Sequence, residues 1–591
     1  MRVLLAVVVR RRRSGCRRIA TASLDEIDQQ ARPLLPWANS ETRYERWLAP
    51  SGFTAMSLWT NEPAPQQPTA LLETTPDVAI GFSGYISPHP SVPQLIRHQR
   101  THPITERRGG VFTLLCADAE TVRARTSLSG AEPLYYAITR DHVFIGTRAS
   151  LVHVVSRSGR QPSYQLQVCA AFLQGGFIVG EQTLLEDTKA VPPNTLLTVT
   201  GRAVREVSIL DSYVEAPSSA AEIGRQLAES LVDACQPLVQ RSEPVRCAIT
   251  GSRDSRLILA ALRTSGVEIA AHTHGFADHP DVKVGREVAD ILGVPHVHSV
   301  PKQNHAGIEV NPLQRVFDTI RLSDGMLSAY ENIATRRHRV STWSDKPVLG
   351  GHGGELYRGG YGKYIDNVTP NTAATYLING FLRHESLLRA DHYQQHKALM
   401  SWWIDRTELG PELALDAFYL RYRAGRWSSA ARSAYSVTRN LIQPFFDERV
   451  MLAGRAGSVL DRLSERVFFS ALQTLHERLA THALVGHPWK FEGRGPRKRV
   501  SDKPDESSLS TFNWRIHYGT ELHTFLTDYI LSHDVITSFL DLKAVTALLR
   551  EPRPRWRQLV WHLFTLTALL SNEWFRKPQR SGHPVAIPLP G

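Results

Sequence analysis

A run of small and hydroxyl residues after a short apolar segment carries the clearest chemistry in the sequence. Val245–Ile249 predicts a strand, Ser255–Thr264 predicts a helix, and the turn between them reads TGSRD. Small residues let backbone N–H groups approach an anion, and the start of a helix favours negative charge. Asp254 suits Mg²⁺, which bridges phosphate oxygens, while the hydroxyls of Thr250 and Ser255 can donate to pyrophosphate. An ordinary strand–turn–helix with Asp254 as the N-cap is the alternative.

The turn resembles the SGGxDS pyrophosphate loop of the ATP-pyrophosphatases, with Ser252 where that loop has a glycine. It is not a Walker loop, because the GxxxxGK[ST] pattern is missing. A second segment, GGHGGELYRGGY at 350–361, resembles the SGEGSDExFGGY loop of the asparagine synthetases. The resemblance implies that Glu355 replaces the second metal-binding aspartate of that family. It also implies that His352 lies beside the acceptor amine, where a neutral imidazole can take a proton near pH 7. A tight glycine turn with a surface histidine is the alternative.

The third element is Lys490. The segment HPWKF at 487–491 resembles the RxKxGF-type segment that supplies a lysine to the departing pyrophosphate. A lysine can neutralise the charge that develops on a leaving group. The stretch Glu492–Ser508 is rich in proline, glycine and charge, and predicts a mobile loop that closes over the site. A solvated surface lysine is the alternative.

Smaller matches follow the family in the same order along the chain. Pro444–Asp447 resembles the end of its EARVPFLD stretch, Val191–Pro193 resembles its VPPG turn, and Pro133–Tyr136 resembles its GxxPLYY stretch. Together the matches cover most of residues 80–576, and this order is more specific than any single motif. The chain is therefore similar to the asparagine synthetase family.

The secondary structure that must position these motifs changes near residue 212, from mainly strands to alternating strands and helices. Short strand-like runs separated by turn residues predict a sheet-rich region from 80 to 209. After residue 220 strands alternate with helices, which predicts βαβ units and a parallel sheet, and helices dominate from 311 to 576. We expect two domains, 1–212 and 213–591, of α/β and α+β class. The resemblance implies an Ntn-hydrolase-like sandwich domain followed by a parallel-sheet ATP-pyrophosphatase (adenine nucleotide α-hydrolase-like) domain with a helical C-terminal extension.

The resemblance implies an ATP-dependent ligase that adenylates a carboxylate, releases pyrophosphate and forms an amide. The family's glutaminase uses a terminal cysteine as its nucleophile, whereas this sequence has Arg2. The glutamine-binding NGE motif is replaced by Ser83-Gly84-Tyr85, and Cys16 becomes terminal only if fifteen residues are removed. We therefore expect the first domain to be a structural relic or a substrate-docking surface.

Without ammonia from glutamine, the amine must come from elsewhere. Two branches of the family work this way, the β-lactam synthetases and the lasso-peptide cyclases. The length, the added C-terminal helices and the TGxxDSR pattern look more like the lasso cyclases, which would make the reaction macrolactam formation in a peptide. Asparagine synthetase, glutamine-hydrolysing or ammonia-dependent, and a β-lactam-type synthetase of small molecules stay open. A precursor-peptide recognition protein and a leader protease are the partners implied.

The resemblance also assigns the nucleotide and metal contacts. ATP and Mg²⁺ are the implied cofactors, with Asp254 and Glu355 as metal ligands and with His352, Lys490 and Asp254 as catalytic residues. Adenine is expected on the strand after the first helix, near Thr273–Gly275. The implied nucleotide contacts are Thr250, Gly251, Ser252, Asp254, Ser255, Thr273, Gly275, Gly350 and Gly351.

Two other classes of function fit parts of the sequence. An RNA-modifying ATP-pyrophosphatase would need a basic patch interleaved with aromatic residues, and the sequence shows only arginine clusters, so no nucleic acid is expected as a partner. A catalytically silent partner protein is the other class, motivated by the degraded first domain.

The composition of the chain excludes several classes of protein and indicates the charge of a partner. The net charge of +12, from 69 Lys and Arg against 57 Asp and Glu, suits an anionic partner such as a nucleotide or an acidic peptide. Hydrophobic residues make up 42% and charged residues 21%, which excludes collagen-like and wholly disordered chains. No apolar run reaches the roughly 18 residues of a membrane span. Val3–Val9 is followed by arginines, the reverse of a signal peptide, and predicts a first strand. The five cysteines have no CxxC or metal-ligand spacing, so a reducing cytoplasm is expected.

Overall fold

The computed structural model describes most of the chain. The described residues are 1–10, 18–63, 70–87, 109–208, 219–300, 308–333, 343–486, 488–492, 513–550, 556–576 and 584–587. Three sequence predictions lie outside these ranges, wholly or in large part. They concern Cys16, the stretch Glu492–Ser508 beyond its first residue, and the proposed boundary at residue 212.

The first 208 residues form two six-stranded antiparallel sheets that pack face to face. The sheet orders are β10-β8-β9-β1-β3-β2 and β12-β11-β7-β6-β5-β4. The strands are β1 Arg2–Val9, β2 Arg43–Leu48, β3 Thr54–Thr60, β4 Glu73–Thr74, β5 Ala79–Ser87, β6 Gly109–Ala117, β7 Thr121–Thr126, β8 Tyr135–Ile138, β9 His142–Gly146, β10 Thr188–Ala190, β11 Thr195–Thr200 and β12 Val204–Ser208.

Strand β1 lies inside the first sheet and is buried along almost its whole length. It pairs with β3 on one side and with β9 on the other. Leu4, Ala6 and Val8 face the second sheet in an apolar layer that also contains Leu115 and Val122. The predicted first strand is confirmed, and burial on both faces explains its unbroken apolar sequence.

The second half contains a parallel sheet covered by helices. Its order is β15-β14-β13-β17-β18, and every pairing in it is parallel. The remaining strands, of which β16 and β19 form a small antiparallel pair, are β13 Val245–Ala248, β14 Ile269–His274, β15 His296–Ser299, β16 Ile308–Val310, β17 Ser344–Leu349, β18 Arg439–Leu441 and β19 Val585–Ile587. The predicted alternation of strands and helices into a parallel sheet is confirmed.

Helices surround both sheet systems. They are α1 Thr21–Ala31, α2 Ala149–Ser156, α3 Cys169–Gly175, α4 Ala220–Cys235, α5 Arg253–Thr264, α6 Pro280–Leu292, α7 Pro312–Ser323, α8 Pro370–Phe381, α9 Ala390–Leu409, α10 Pro411–Phe418, α11 Ser429–Ser436, α12 Glu448–Gly454, α13 Val459–Leu463, α14 Arg466–Leu475, α15 Glu477–Thr481, α16 Thr520–Leu531, α17 Leu542–Arg550, α18 Arg557–Leu570 and α19 Glu573–Arg576. Within the described ranges, no helix is both long and apolar enough to cross a membrane.

The two halves are joined by buried ion pairs. Arg125 pairs with Glu448, and Arg148 lies 2.7 Å from Asp324. Asp447, at the end of the PFFD segment, accepts the backbone N–H of Gly110 on β6 at 2.6 Å. Separating the two halves would break these buried pairs and leave uncompensated charges, which is energetically costly. The pairs therefore hold the sheet sandwich against the helices of the second half.

Candidate active site

The phosphate loop and the second glycine loop follow adjacent strands of the parallel sheet. The first loop follows β13 and the second follows β17, and these strands pair with Cys247 opposite Leu349. Ligands of open parallel sheets bind beyond the carboxyl ends of the strands. Helix α5 has Ser252 as its N-cap and places Asp254 in its first turn. The alternative in which Asp254 is the N-cap is therefore wrong.

The hydroxyl groups of the first loop form a compact cluster. Thr250 Oγ1 lies 2.9 Å from Ser252 Oγ and 3.2 Å from Ser255 Oγ. The backbone N–H of Gly251 donates to Asp281 Oδ1 at 2.9 Å. A phosphate that binds here must therefore compete with Asp281 for the Gly251 N–H.

The two loops press together at positions where only glycine fits. A Cβ atom at Gly351 would lie 2.4 Å from the backbone nitrogen of Ser255, and a Cβ atom at Gly354 would lie 2.4 Å from Asp254 Oδ1. Gly350 is less crowded, since its nearest neighbour would be the Ala248 Cβ at 3.9 Å. The glycines of the second loop thus bring Glu355 close to Asp254.

The two carboxylates are each held by a cation from the second loop or the turn after it. Arg358 Nη2 donates to Asp254 Oδ2 at 2.7 Å, and Lys363 Nζ lies 3.1 Å from Glu355 Oε1. Burial raises the pKa of Asp254 against the pull of Arg358, and the neighbouring Glu355 adds to the rise. Burial alone would raise the pKa of Glu355, but Lys363 and Arg358 lower it to about 2. Glu355 is therefore ionised throughout the physiological range.

The pair of carboxylates fits a divalent cation that arrives with a nucleotide. Asp254 Oδ1 is buried and has no hydrogen-bond partner among the described residues. Mg²⁺ is usually held by one or two carboxylates together with phosphate oxygens and water. Across the described ranges, no three His, Cys, Asp or Glu side chains converge as a metal cluster. The donor set suits a metal whose remaining ligands come from phosphate.

Lys490 belongs to the same cluster of charges. Its backbone N–H donates to Glu465 Oε2 at 3.1 Å, and its exposed side chain stands near Glu465 and Arg358. Partial burial lowers the pKa of Lys490, and Glu465 opposes that shift. The predicted pyrophosphate lysine is thus connected to Asp254 through Glu465 and Arg358.

Two arginines of the first loop and its helix hold the segment that carries Lys490. Arg253 Nη2 donates to Pro488 O at 2.7 Å, and its guanidinium lies 4.8 Å from the ring centre of Trp489. Buried Arg256 donates to the carbonyl oxygens of Leu479, His482 and Ala483. Both arginines lie in the TGSRDSR sequence, yet the carbonyl oxygens named above are more than 220 positions away, so no local signal could reveal these contacts.

His352 is exposed on the second glycine loop, beyond the carboxyl ends of β13 and β17, and this region is called the cleft below. Its ring is accessible to solvent, yet protein surrounds it closely enough that burial lowers its pKa. Its Nε2 is 3.2 Å from Ser428 Oγ, and its ring contacts Trp427 and Phe446. His352 is therefore neutral near pH 7 and lies on the same glycine loop as Glu355.

The predicted adenine contacts already have partners inside the protein. Thr273 Oγ1 donates to Ile249 O at 2.8 Å, Gly275 N–H donates to Ser299 O, and Gly275 O lies 2.9 Å from His298 Nε2. Contact of this strand with adenine stays a prediction.

A separate polar cavity lies between the sheet sandwich and helix α11. Arg2, Ser83, Gly84, Tyr85, Glu132 and Arg432 line a cavity of about 40 Å³. Glu132 accepts from Ser83 and from Arg432 Nε at 3.0 Å, and Arg2 Nε donates to Glu62 at 3.1 Å. No cysteine lines this cavity within the described ranges.

The four described cysteines are buried thiols away from this cavity. Burial raises the pKa of Cys116 and of Cys247 to about 12, and it raises the pKa of Cys169 and Cys235 as well. Because the thiolate is the nucleophile, none of these four is suited to glutamine hydrolysis.

Comparisons with known proteins identify a family for the second half of the chain. The family model for asparagine synthase matches residues 226–576, which include both glycine loops and Lys490. A search of curated proteins found no match. Among solved structures, the chain is similar to glutamine phosphoribosylpyrophosphate amidotransferase from B. subtilis complexed with ADP and GMP, at 9% identity over 63% of this chain and 77% of that one, with a TM-score of 0.23. A structure described as the allosteric regulatory enzyme of purine biosynthesis gives 8% identity, 64% and 77% coverage and a TM-score of 0.22.

Proposed function

This chain belongs to the asparagine synthase family, and from that premise we propose that it is an ATP-dependent ligase that adenylates a carboxylate and joins it to an amine from a source other than glutamine. The observation that carries the proposal is that Arg358 joins segments distant in sequence: it pairs with Asp254 and with Glu465, which accepts the backbone N–H of Lys490, while the loop that carries Glu355 packs against Asp254. Two carboxylates and a lysine at one cleft are what an enzyme needs to hold a magnesium nucleotide and to stabilise departing pyrophosphate.

The residues of the cleft have separable roles in this proposal. Asp254 and Glu355 would hold Mg²⁺, which supplies charge neutralisation at the phosphates. Lys490 neutralises charge on the leaving pyrophosphate, and Arg253 keeps its segment in place. Neutral His352 accepts a proton from the attacking amine. Holding both reactants in one cleft makes the amide-forming step effectively unimolecular.

We favour macrolactam formation in a lasso peptide as the specific reaction. Two observations support a peptide amine over ammonia. The cavity that contains Arg2 and Ser83 has no thiol among its described lining residues, and the net charge of +12 suits a peptide with acidic residues. A precursor-peptide recognition protein and a leader protease are the partners proposed with it.

The test is mass spectrometry of a candidate precursor peptide incubated with the chain, ATP and MgCl₂. The expected result is a product that has lost one water, together with AMP and pyrophosphate. Release of ADP and phosphate would contradict adenylation.

The same assay separates the alternatives. Amide formation on free aspartate with ammonium chloride would favour asparagine synthetase, and ring closure of a small amino acid would favour a β-lactam-type synthetase. Neither result would change the assignment of the Asp254–Glu355 cleft.

A further inference from the structure

The helical segment opposite His352 has an uncommon geometry. Helices α10 and α11 are continuous with a π-helix between them, Tyr419–Ser428. Such segments with i→i+5 hydrogen bonds are rare and frequently occur at functional sites. Residues four apart stay near one face of such a helix, and Tyr419, Arg423 and Trp427 have this spacing.

The sheet sandwich fixes the opposite side of the π-helix. Arg421 pairs with Glu181 at 2.6 Å, and Arg426 donates to Gln182 O at 2.8 Å. A Cβ atom at Gly425 would lie 2.5 Å from Pro193 Cγ. The first half of the chain therefore holds this helix in place and turns the 419–423–427 face toward the cleft.

Arg423 and Trp427 extend the cleft beyond His352. The guanidinium of Arg423 lies 3.5 Å from the ring centre of Trp427, and the Trp427 ring lies 5.8 Å from that of His352. Ser428, next along the chain, contacts His352 Nε2. A continuous surface thus runs from Glu355 through His352 to Arg423.

This surface presents a buried hydrogen-bond donor beside a half-buried cation. Trp427 Nε1 is buried with no acceptor among the described residues, and the Arg423 guanidinium lies over the Trp427 ring. Guanidinium and indole N–H groups can only donate, and buried polar groups are nearly always paired. A group with acceptor oxygens and negative charge would satisfy the indole N–H and pair with Arg423.

The carboxylate that reacts with ATP is expected at the other end of this surface. Arg358 contacts Asp254 and Lys363 contacts Glu355, whereas Arg423 contacts Trp427, which in turn contacts His352. Arg423 also acts on the pKa of His352 and of four tyrosines, and Glu355 acts on the same histidine and on three of them; the four are Tyr361, Tyr364, Tyr376 and Tyr419. Arg423 is thus connected to the second glycine loop through Trp427 and His352, and among the described residues it forms no ion pair with Asp254 or Glu355.

We propose that Arg423 and Trp427 form a receptor for a second anionic group of the acyl substrate, a carboxylate that is not adenylated. The proposal rests on the proposed function, because it places the reacting carboxylate at the Asp254–Glu355 end of the same cleft. The acyl substrate is then a dicarboxylate or a peptide segment with a free carboxylate near its reactive one. Arg423 determines specificity, and the planar guanidinium stacked on Trp427 is already oriented for it.

Calorimetry with non-reactive adenylate mimics tests the receptor. The probes are 5′-O-sulfamoyladenosine, its N-succinyl and N-glutaryl derivatives, and the ω-carboxamides of both derivatives. Wild type should bind at least one free acid about tenfold or more tightly than its amide, because a charge-assisted hydrogen bond is lost in the amide. In Arg423→Gln this ratio should fall to about one, with binding of 5′-O-sulfamoyladenosine unchanged.

Three further variants sharpen the result. Arg423→Lys should keep part of the preference, and Trp427→Phe, which removes the N–H and keeps an aromatic ring, should lose part of it. Arg406→Gln is the matched control and should keep all of it, because Arg406 stacks on the exposed ring of Trp402 on α9 and contacts none of the residues of the receptor. Wild type that binds acids and amides equally, or an Arg423→Gln variant that keeps the preference, overturns the receptor alone. If wild type binds none of the probes, the nucleotide site fails and the receptor fails with it.

Discussion

The molecule has two polar sites, and they differ in how their charges are satisfied. At the cavity beside β1, Glu132 neutralises Arg432 and Arg2 pairs with Glu62. At the cleft beyond β13 and β17, Asp254 Oδ1 is buried without a partner among the described residues. Internal pairing gives rigidity, whereas an unsatisfied buried group needs an explanation such as an absent ligand. From this difference we predict that the first site, the cavity, supports the fold and that the second site, the cleft, binds a ligand.

The largest effect is expected from Asp254→Asn. It removes the charge of the carboxylate whose Oδ1 has no partner among the described residues, while keeping the shape of the side chain, so magnesium-nucleotide binding should fail. We expect carboxylate-dependent exchange of pyrophosphate into ATP to fall at least about a hundredfold. Asp290→Asn, which changes an exposed carboxylate on α6, is the control. Full exchange by Asp254→Asn would show that the second site is as structural as the first.

The next effect is expected from Glu132→Gln at the first site. The change leaves Arg432 buried without a counter-charge, and we expect the free energy of unfolding to fall by about 3 kcal/mol. Denaturant unfolding measures this loss. Pyrophosphate exchange per folded molecule should stay within about twofold of wild type, since the site takes no part in the reaction. A specific loss of exchange in fully folded protein would contradict the contrast between the sites.

A smaller effect is expected from the pH dependence of stability in the sheet sandwich. Burial lowers the pKa of His153 to about 4, and its Nε2 accepts the N–H of Ser163. The unfolded chain takes up this proton at higher pH than the folded chain, so stability is lost as pH falls from about 6.5 to 4, by up to about 3 kcal/mol. Melting temperatures of wild type and His153→Gln between pH 4 and 7 measure the difference. If the melting temperatures of the two proteins fall equally as the pH is lowered, groups other than His153 cause the loss of stability in acid.

No effect is expected from reagents that target glutaminases. Treatment of the folded chain with 6-diazo-5-oxonorleucine or iodoacetamide should leave Cys116, Cys169, Cys235 and Cys247 unmodified by peptide mass spectrometry, because their pKa values are raised by burial. Pyrophosphate exchange should also be unchanged. Labelling of any of the four, with loss of glutamine-dependent amide formation, would give the first half of the chain a catalytic role.

Sequence patterns over a few neighbouring residues predicted which strands and helices are present better than they predicted the residues at which those strands and helices begin and end. The apolar run Val3–Val9 is strand β1, and the strand–turn–helix around residue 250 is present. Helix α5 begins at Arg253, two residues before the prediction, because Ser252 takes the N-cap position. Tyr164–Phe172 has helical periodicity, and the structure has a 3₁₀ turn there, Leu166–Val168, followed by α3, Cys169–Gly175. Boundaries are set by capping contacts that periodicity does not reveal.

For the candidate site, the motifs identified the carboxylates but not the groups that control them. Glu355 and Lys490 follow from the family resemblance, whereas no motif points to Arg358, Lys363 or Glu465. Arg423 and Trp427 also carry no sequence signal, since an arginine and a tryptophan four residues apart are ordinary on a helix. The π-helix that aligns them is not visible in the periodicity.

The sequence by itself determined the order of strands and helices, the glycine loops and the family, because backbone preferences and close-approach glycines act over a few neighbouring residues. Only the tertiary structure decided which oxygen of Asp254 is paired, because its partner Arg358 is 104 positions away. It also decided that Arg423 lies beside His352, through packing of the sheet sandwich on the far side of the π-helix. Burial and charge depend on every group that the fold brings near, and no local pattern contains that information.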